Sequence, residues 1–297
     1  MHDDELELGD AAAEALIRAQ FPEWSGEHVR RLPGAGTVNA IYRIGTGMAA
    51  RFPLRRADAG EARRALEREG AAMVELAACS PVPTPQPLAI GEPGLGYPLP
   101  WSVQTWVPGD TATPHGLAHS ATFARDLAAL IRALHSADTR GRTFDGAGRG
   151  GDLRDGDAWM QTCFRESEGL LDVPRLRSLW ASLRDLPRLA PDAMTHGDLI
   201  PGNLLVQGEY LVGVVDGGGF KAADPALDLV AAWHLLDAGA RTILRGELQS
   251  DDLGWARGAA WAFQQAMGLV WYYRTSNPVM SALGRSTLDR LFADFEV

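Results

Sequence analysis

The sequence predicts an α+β chain of two lobes, a small strand-rich N-terminal part and a larger, mainly helical C-terminal part. Three observations predict it. Short β-like runs separated by turn residues crowd the first third of the chain. A strand-like WSVQTWV then ends at Pro108-Gly109, a break that no regular element crosses easily. Beyond the break, apolar residues recur at helical spacing. In ATFARDLAALIRALHS, Phe123, Leu127, Leu130, Ile131 and Leu134 fall on one face. The expected division is 1–107 and 108–297, with a hinge near 104–109.

Residues 10–20 read as a short helix with Asp10 as its N-cap. The runs AIYRI and MAARF flank Gly45-Thr46-Gly47 and signal a hairpin. Residues 58–78, rich in Ala, Glu and Arg, read as a helix. The passage PVPTPQPLAIGEPGLGYPLP has too many Pro and Gly residues for one long element. Residues 137–156 read as a long polar loop, of a kind that is often functional or mobile. Helices are expected near 157–170 and 174–186, and several more over 225–297.

Composition narrows the function classes. A net charge of −10 disfavours nucleic-acid or anionic-membrane partners, which call for basic faces. Cys79 and Cys163 alone define neither a disulfide framework nor a zinc site. The acidic N-terminus MHDDELELGD lacks the features of a signal peptide, and no apolar run would span a bilayer, so a cytoplasmic location is expected. Lys221 is the only lysine.

The stretch THGDLIPGNLL, residues 195–205, carries the clearest chemistry. Asp198 and Asn203 precede the run NLLV, and Asp216 ends the run LVGVVD. Gln207-Gly208-Glu209-Tyr210 between the runs reads as a hairpin turn, which would carry Asn203 toward Asp216. Such hard oxygen donors suit Mg²⁺, which takes its remaining ligands from water and substrate phosphates.

His196-Gly197-Asp198 through Asn203, with Asp216 and the later Asp224-Pro225-Ala226-Leu227-Asp228-Leu229, resembles the aminoglycoside and macrolide phosphotransferase family. The resemblance implies a protein-kinase-like bilobal fold and Mg²⁺-dependent transfer of the γ-phosphate of ATP or GTP to a hydroxyl of a small molecule. That acceptor would be an antibiotic of either class, the protein serving resistance. A metabolite kinase and a nucleotide-binding regulatory protein without turnover are the alternatives. The resemblance assigns Asp198 to the acceptor proton, Asn203 and Asp216 to the metal, Asp228 to bracing the catalytic loop and His196 to a packed place within it.

Gly34-Ala35-Gly36-Thr37-Val38-Asn39 would be the family's phosphate-covering loop, with Asn39 in place of a third glycine. The family's strand lysine is absent, and Arg51 stands in its place. Arginine keeps the charge and changes the geometry. Glu69 would be its helix partner, with Glu67 as the alternative. Backbone groups around Gln104, Thr105 and Trp106 would meet the purine. Glycines 217–219 follow Asp216 where relatives carry bulk, and would leave space or loosen the loop. Asp152, Asp155 and Asp157 are candidates for holding a cationic acceptor.

Overall fold

The computed structural model describes residues 6–32 and 39–295. They form an α+β structure that divides into two compact units. The first takes in the described residues up to Ala78, then Pro83–Pro108 and Val215–Gly219. The second comprises Cys79–Val82, Gly109–Val214 and the described residues from Phe220 onward.

The first unit holds α1 (Asp10–Gln20), β1 (Val29–Arg31), β2 (Asn39–Ile44), β3 (Met48–Pro53), all but the last residue of α2 (Ala59–Cys79), β4 (Pro87–Gly91) and β5 (Trp101–Thr105). Its five strands form one antiparallel sheet in the order β1-β2-β3-β5-β4. Ile44 opposite Met48 closes the β2–β3 hairpin. Alternation along β2 buries Ala40, Tyr42 and Ile44 on one face. There Phe52 stacks on Trp101 at 4.6 Å and meets Tyr42 and Tyr97 edge-on. Asp10 is the first residue of α1, not its N-cap, a place taken by Gly9. Its carboxylate instead accepts from the buried Tyr42 hydroxyl at 2.9 Å. Burial first, and that hydrogen bond second, push the Tyr42 pKa up to about 12.

The second unit begins with β6 (Asp110–Thr111), α3 (Ala121–His135), α4 (Asp157–Glu166), α5 (Val173–Leu183), β7 (Ala193–Thr195), β8 (Leu204–Gln207), β9 (Tyr210–Val214) and β10 (Lys221–Ala223). It ends with α6 (Val230–Leu235), α7 (Ala238–Leu248), α8 (Asp252–Tyr272) and α9 (Pro278–Asp294). β6 extends the β8–β9 hairpin, and β7 pairs with β10. α8 is buried all round from Arg257 to Met267, as a central helix must be. Its buried polar groups are satisfied by specific partners. Arg257 reaches Asp224 at 2.6 Å, Trp261 reaches the same carboxylate at 2.8 Å, and Gln264 reaches the Leu153 carbonyl at 2.9 Å.

Residues 137–156 lack long elements yet are tied down. Phe144 N donates to Asp192 at 2.7 Å, and Asp224 N donates to the Gly150 carbonyl at 2.9 Å. Lys221 donates to Asp145 at 2.7 Å and to the Ala147 carbonyl at 2.6 Å, so the sole lysine pins this loop. No helix among the described residues is long and apolar enough to cross a membrane.

Candidate active site

In the second unit, β7 delivers the chain into His196-Gly197-Asp198. Gly197 takes a φ of +79°, the left-handed region that glycine enters without strain. Asp228, fully buried, holds the turn. Its Oδ1 accepts from Gly197 N at 2.8 Å, and its Oδ2 from His196 N at 3.1 Å. His135 Nε2, on α3, lies 3.2 Å from the same Oδ2. His196 itself is 2% exposed, which keeps its ring away from a soluble substrate.

The chain then makes a tight turn, with Ile200 N on Asp198 O at 2.9 Å, and a 3-10 turn over Pro201–Asn203. Asn203 donates its side-chain amide to Asp198 O at 2.8 Å and to Asp198 Oδ2 at 3.2 Å. With both donations directed at Asp198, the amide oxygen faces the other way as an acceptor. Leu204 pairs with Val214 across the β8–β9 hairpin, so Asn203 directly precedes the paired run and Val215-Asp216 directly follow it. The second Asp198 oxygen, Oδ1, accepts from Arg149 Nη2 at 2.9 Å. Sequence reading missed Arg149, whose one signal was an arginine between two glycines in a polar loop. The Asp198 side chain remains 38% exposed, so solvent and solutes reach it.

In the first unit, Arg51 on β3 donates from Nη2 to Asp216 Oδ1 at 3.0 Å. Asp216 has a φ of +63°, an uncommon conformation for a residue with a Cβ and one often found at functional turns. Arg51 bonds Asp216 and not Glu69. Burial is the main influence on Glu69 and raises its pKa, while the Arg51 charge opposes that rise. Glu67 points instead toward Arg63, 4.0 Å away. Of the glycines after Asp216, only Gly219 faces open space, where a Cβ would meet nothing within 4 Å; Gly217 and Gly218 are crowded, contrary to the expectation. A Cβ on Gly217 would lie 2.2 Å from Leu76 Cδ2, and one on Gly218 would lie 3.0 Å from Glu69 Cγ. Helix α2 fills the room that a bulky residue would need.

A cavity of about 200 Å³ in this unit is lined by Arg51, Glu69, Met73, Ser102 and Gln104 among others. Thr105 N and Trp106 N donate to the carbonyls of Gln86 and Gly47, at 2.9 and 2.7 Å. Those N–H groups are therefore engaged, and a purine edge would have to use neighbouring carbonyls or the chain beyond. Asn39 opens β2, whereas Gly34 and Gly36 lie outside the described residues.

Asp152, Asp155 and Asp157 sit at the start of α4 and in the turn before it. Asp152 binds Arg154 at 2.9 Å and caps its backbone, which together hold its pKa down to about 2. Asp157 accepts from Arg184 and from Trp180 Nε1, and the Arg184 contact is the larger cause of its lowered pKa. Asp155 is exposed.

Comparison with known proteins gives a consistent family. Residues 29–261 match the Phosphotransferase enzyme family. No curated protein sequence matches the chain. Among solved structures, the GDP complex of wild-type aminoglycoside 2'-phosphotransferase-IIIa superposes with a TM-score of 0.71 at 20% identity, covering 97% of this chain and 100% of that one. Macrolide 2'-phosphotransferase MphH from Brachybacterium faecium, as apoenzyme, gives 0.61 at 18% identity over 92% and 98%. A gentamicin complex of APH(2")-IIa gives 0.61 at 17% over 96% and 97%. At these identities the superpositions establish a shared kinase-like fold. The family match spans most of the chain and includes the whole Asp198 loop, so the chain belongs to the phosphotransferase enzyme family.

Proposed function

We propose that this protein transfers the γ-phosphoryl group of ATP or GTP to a hydroxyl of a small molecule of the aminoglycoside or macrolide antibiotic type. The observation that carries this reading is the Asp198 carboxylate. It is accessible, fixed by a donor at each oxygen, and set in a loop braced by buried Asp228. A carboxylate so oriented can accept the proton of an attacking hydroxyl as the new O–P bond forms.

Asp216, in the first unit, offers a carboxylate and Asn203, in the second, an amide oxygen; each is a hard oxygen donor of the kind Mg²⁺ takes, with its other ligands drawn from phosphates and water. Bound to such donors, Mg²⁺ would supply charge neutralisation at the transferring group. Arg51 would add a second positive charge beside it.

One observation bears on the acceptor. The carboxylates of Asp152 and Asp157 are already paired with Arg154 and Arg184. A cationic acceptor held by these two residues would have to compete with those arginines, whereas Asp155 is exposed. The test is a transfer assay with ATP and GTP, with and without Mg²⁺. Gentamicin, kanamycin, erythromycin and small amino alcohols serve as acceptors, and mass spectrometry follows the gain of one phosphoryl group. Modification of gentamicin, kanamycin or erythromycin is the expected result. Modification of an amino alcohol alone would replace the antibiotic reading with a metabolite one.

A further inference from the structure

We propose that Arg149 is a positioning residue for Asp198, itself held in place by a buried relay of Gln265, His234 and Thr287. The inference rests on reading Asp198 as the proton acceptor.

The donor roles along the relay are forced, starting from α9. The Thr287 hydroxyl donates to the Leu283 carbonyl at 2.9 Å, which leaves its oxygen to accept. His234 Nδ1 lies 2.8 Å from that oxygen and must carry the ring proton. Nε2 then presents a lone pair, so Gln265 donates its amide N–H to it at 2.8 Å. This orientation turns the Gln265 oxygen to Arg149, where it accepts from Nε at 3.3 Å and from Nη2 at 3.2 Å. Arginine has donors only, and its outer nitrogen goes on to Asp198 Oδ1 at 2.9 Å and to the Gly197 carbonyl at 3.5 Å. Every group has one consistent role, ending in a carbonyl on one side and the Asp198 carboxylate on the other. Thr287 and His234 are fully buried, and Gln265 is 6% exposed. Burial, the largest influence, lowers the His234 pKa to about 4 and keeps the ring neutral, as its acceptor role requires.

The backbone of Arg149 is fixed as firmly as its side chain. Gly148 and Gly150 flank it at φ of +72° and +116°. A Cβ on Gly150 would lie 2.6 Å from the Ala223 Cβ, so only glycine lets the loop sit this close to β10. Lys221 on β10 holds the loop just before Arg149. The Arg149–Asp198 pair is itself about two-fifths exposed on each side. Exposed pairs add little stability, so the support around this one is out of proportion to any role in holding the fold. It is in proportion to aiming a carboxylate. Arg149 on Oδ1 and Asn203 on Oδ2 fix the rotation of the group, and such pre-organisation governs rates.

The test uses the full chain with Arg149→Ala, Arg149→Lys, Gln265→Leu and the Ala/Leu double variant, alongside Asp198→Asn. Kinetics are measured with the nucleotide and the acceptor modified in the panel above. Arg149→Ala should lower kcat about 10- to 100-fold with the nucleotide KM unchanged. Free guanidinium at tens of millimolar should restore part of that loss, and none of the loss in Asp198→Asn. Gln265→Leu should cost less, and nothing further on top of Arg149→Ala. An unchanged kcat in Arg149→Ala, or a loss carried by KM alone, overturns the proposal. If the wild type modifies no acceptor, the functional reading fails, and ¹⁵N NMR of the Arg149 guanidinium decides the inference independently. Hindered rotation with resolved Nη signals, lost in Asp198→Asn and Gln265→Leu, supports it. A single averaged Nη signal in the wild type overturns it.

Discussion

Arg51 and His234 show how single side chains set measurable behaviour. Arg51 is largely buried and directs one guanidinium nitrogen at Asp216, so its charge is held in place. On the proposal that this charge faces the nucleotide phosphates, Arg51→Met should weaken nucleotide binding about 10- to 100-fold, read by calorimetric titration with GTP and ATP in Mg²⁺. Unchanged affinity would remove Arg51 from the nucleotide site. His234 predicts a pH dependence. Its pKa falls from an ordinary 6.5 to about 4 in the folded chain, chiefly through burial. Between those values the unfolded chain binds the proton more readily, so stability is complete above pH 6.5 and declines as pH falls toward 4. The loss at pH 5 should be about 2 kcal/mol. Urea unfolding of the wild type and of His234→Gln at pH 7.5 and 5 checks it. Equal pH slopes in the two proteins would contradict the assignment.

At the scale of elements, two close contacts decide what each segment tolerates. The Gly217–Gly219 turn lies against α2, and Leu76 occupies the place a side chain at position 217 would take. Gly217→Leu should destabilise the chain by about 1–3 kcal/mol through overpacking, seen as a lower Tm. A Tm equal to the wild type's would show that α2 yields. In the other unit, α8 is joined to the Asp224 turn by the buried Arg257–Asp224 pair, at 4% and 1% exposure. Asp224→Ala leaves a buried guanidinium unpaired and should cost about 3–5 kcal/mol, and adding Arg257→Met should recover much of it. Denaturant midpoints of the three proteins test this, and a fully additive double variant would contradict it.

Across the whole molecule, local patterns were legible in the sequence and long-range contacts were not. The β2–β3 and β8–β9 hairpins, α2, α3 and the run from His196 to Asn203 are each written within a few tens of residues, where periodicity and turn chemistry suffice. The Asp10 side chain misled because a cap and a first-turn residue look alike in sequence, and Tyr42 decides between them. Gly217 and Gly218 suggested looseness because the helix filling their space lies far back in the chain. Arg149 passed unnoticed for the same reason. Its meaning depends on Asp198 and Gln265, which no spacing rule connects to it. Asp157, at the start of α4, looked available because Arg184 is remote from it in sequence.

Whether Asp198 takes the acceptor proton is decided by comparing the wild type with Asp198→Asn for Mg²⁺-dependent phosphoryl transfer, with nucleotide affinity measured on the same samples. Asparagine keeps the shape of the side chain and removes its capacity to take a proton. The wild type should yield a phosphorylated acceptor, Asp198→Asn should lower kcat by about 10²–10⁴-fold, and nucleotide affinity should be the same in the two proteins. Equal turnover in both proteins, or nucleotide binding with no transfer to any acceptor in the wild type, would contradict that role.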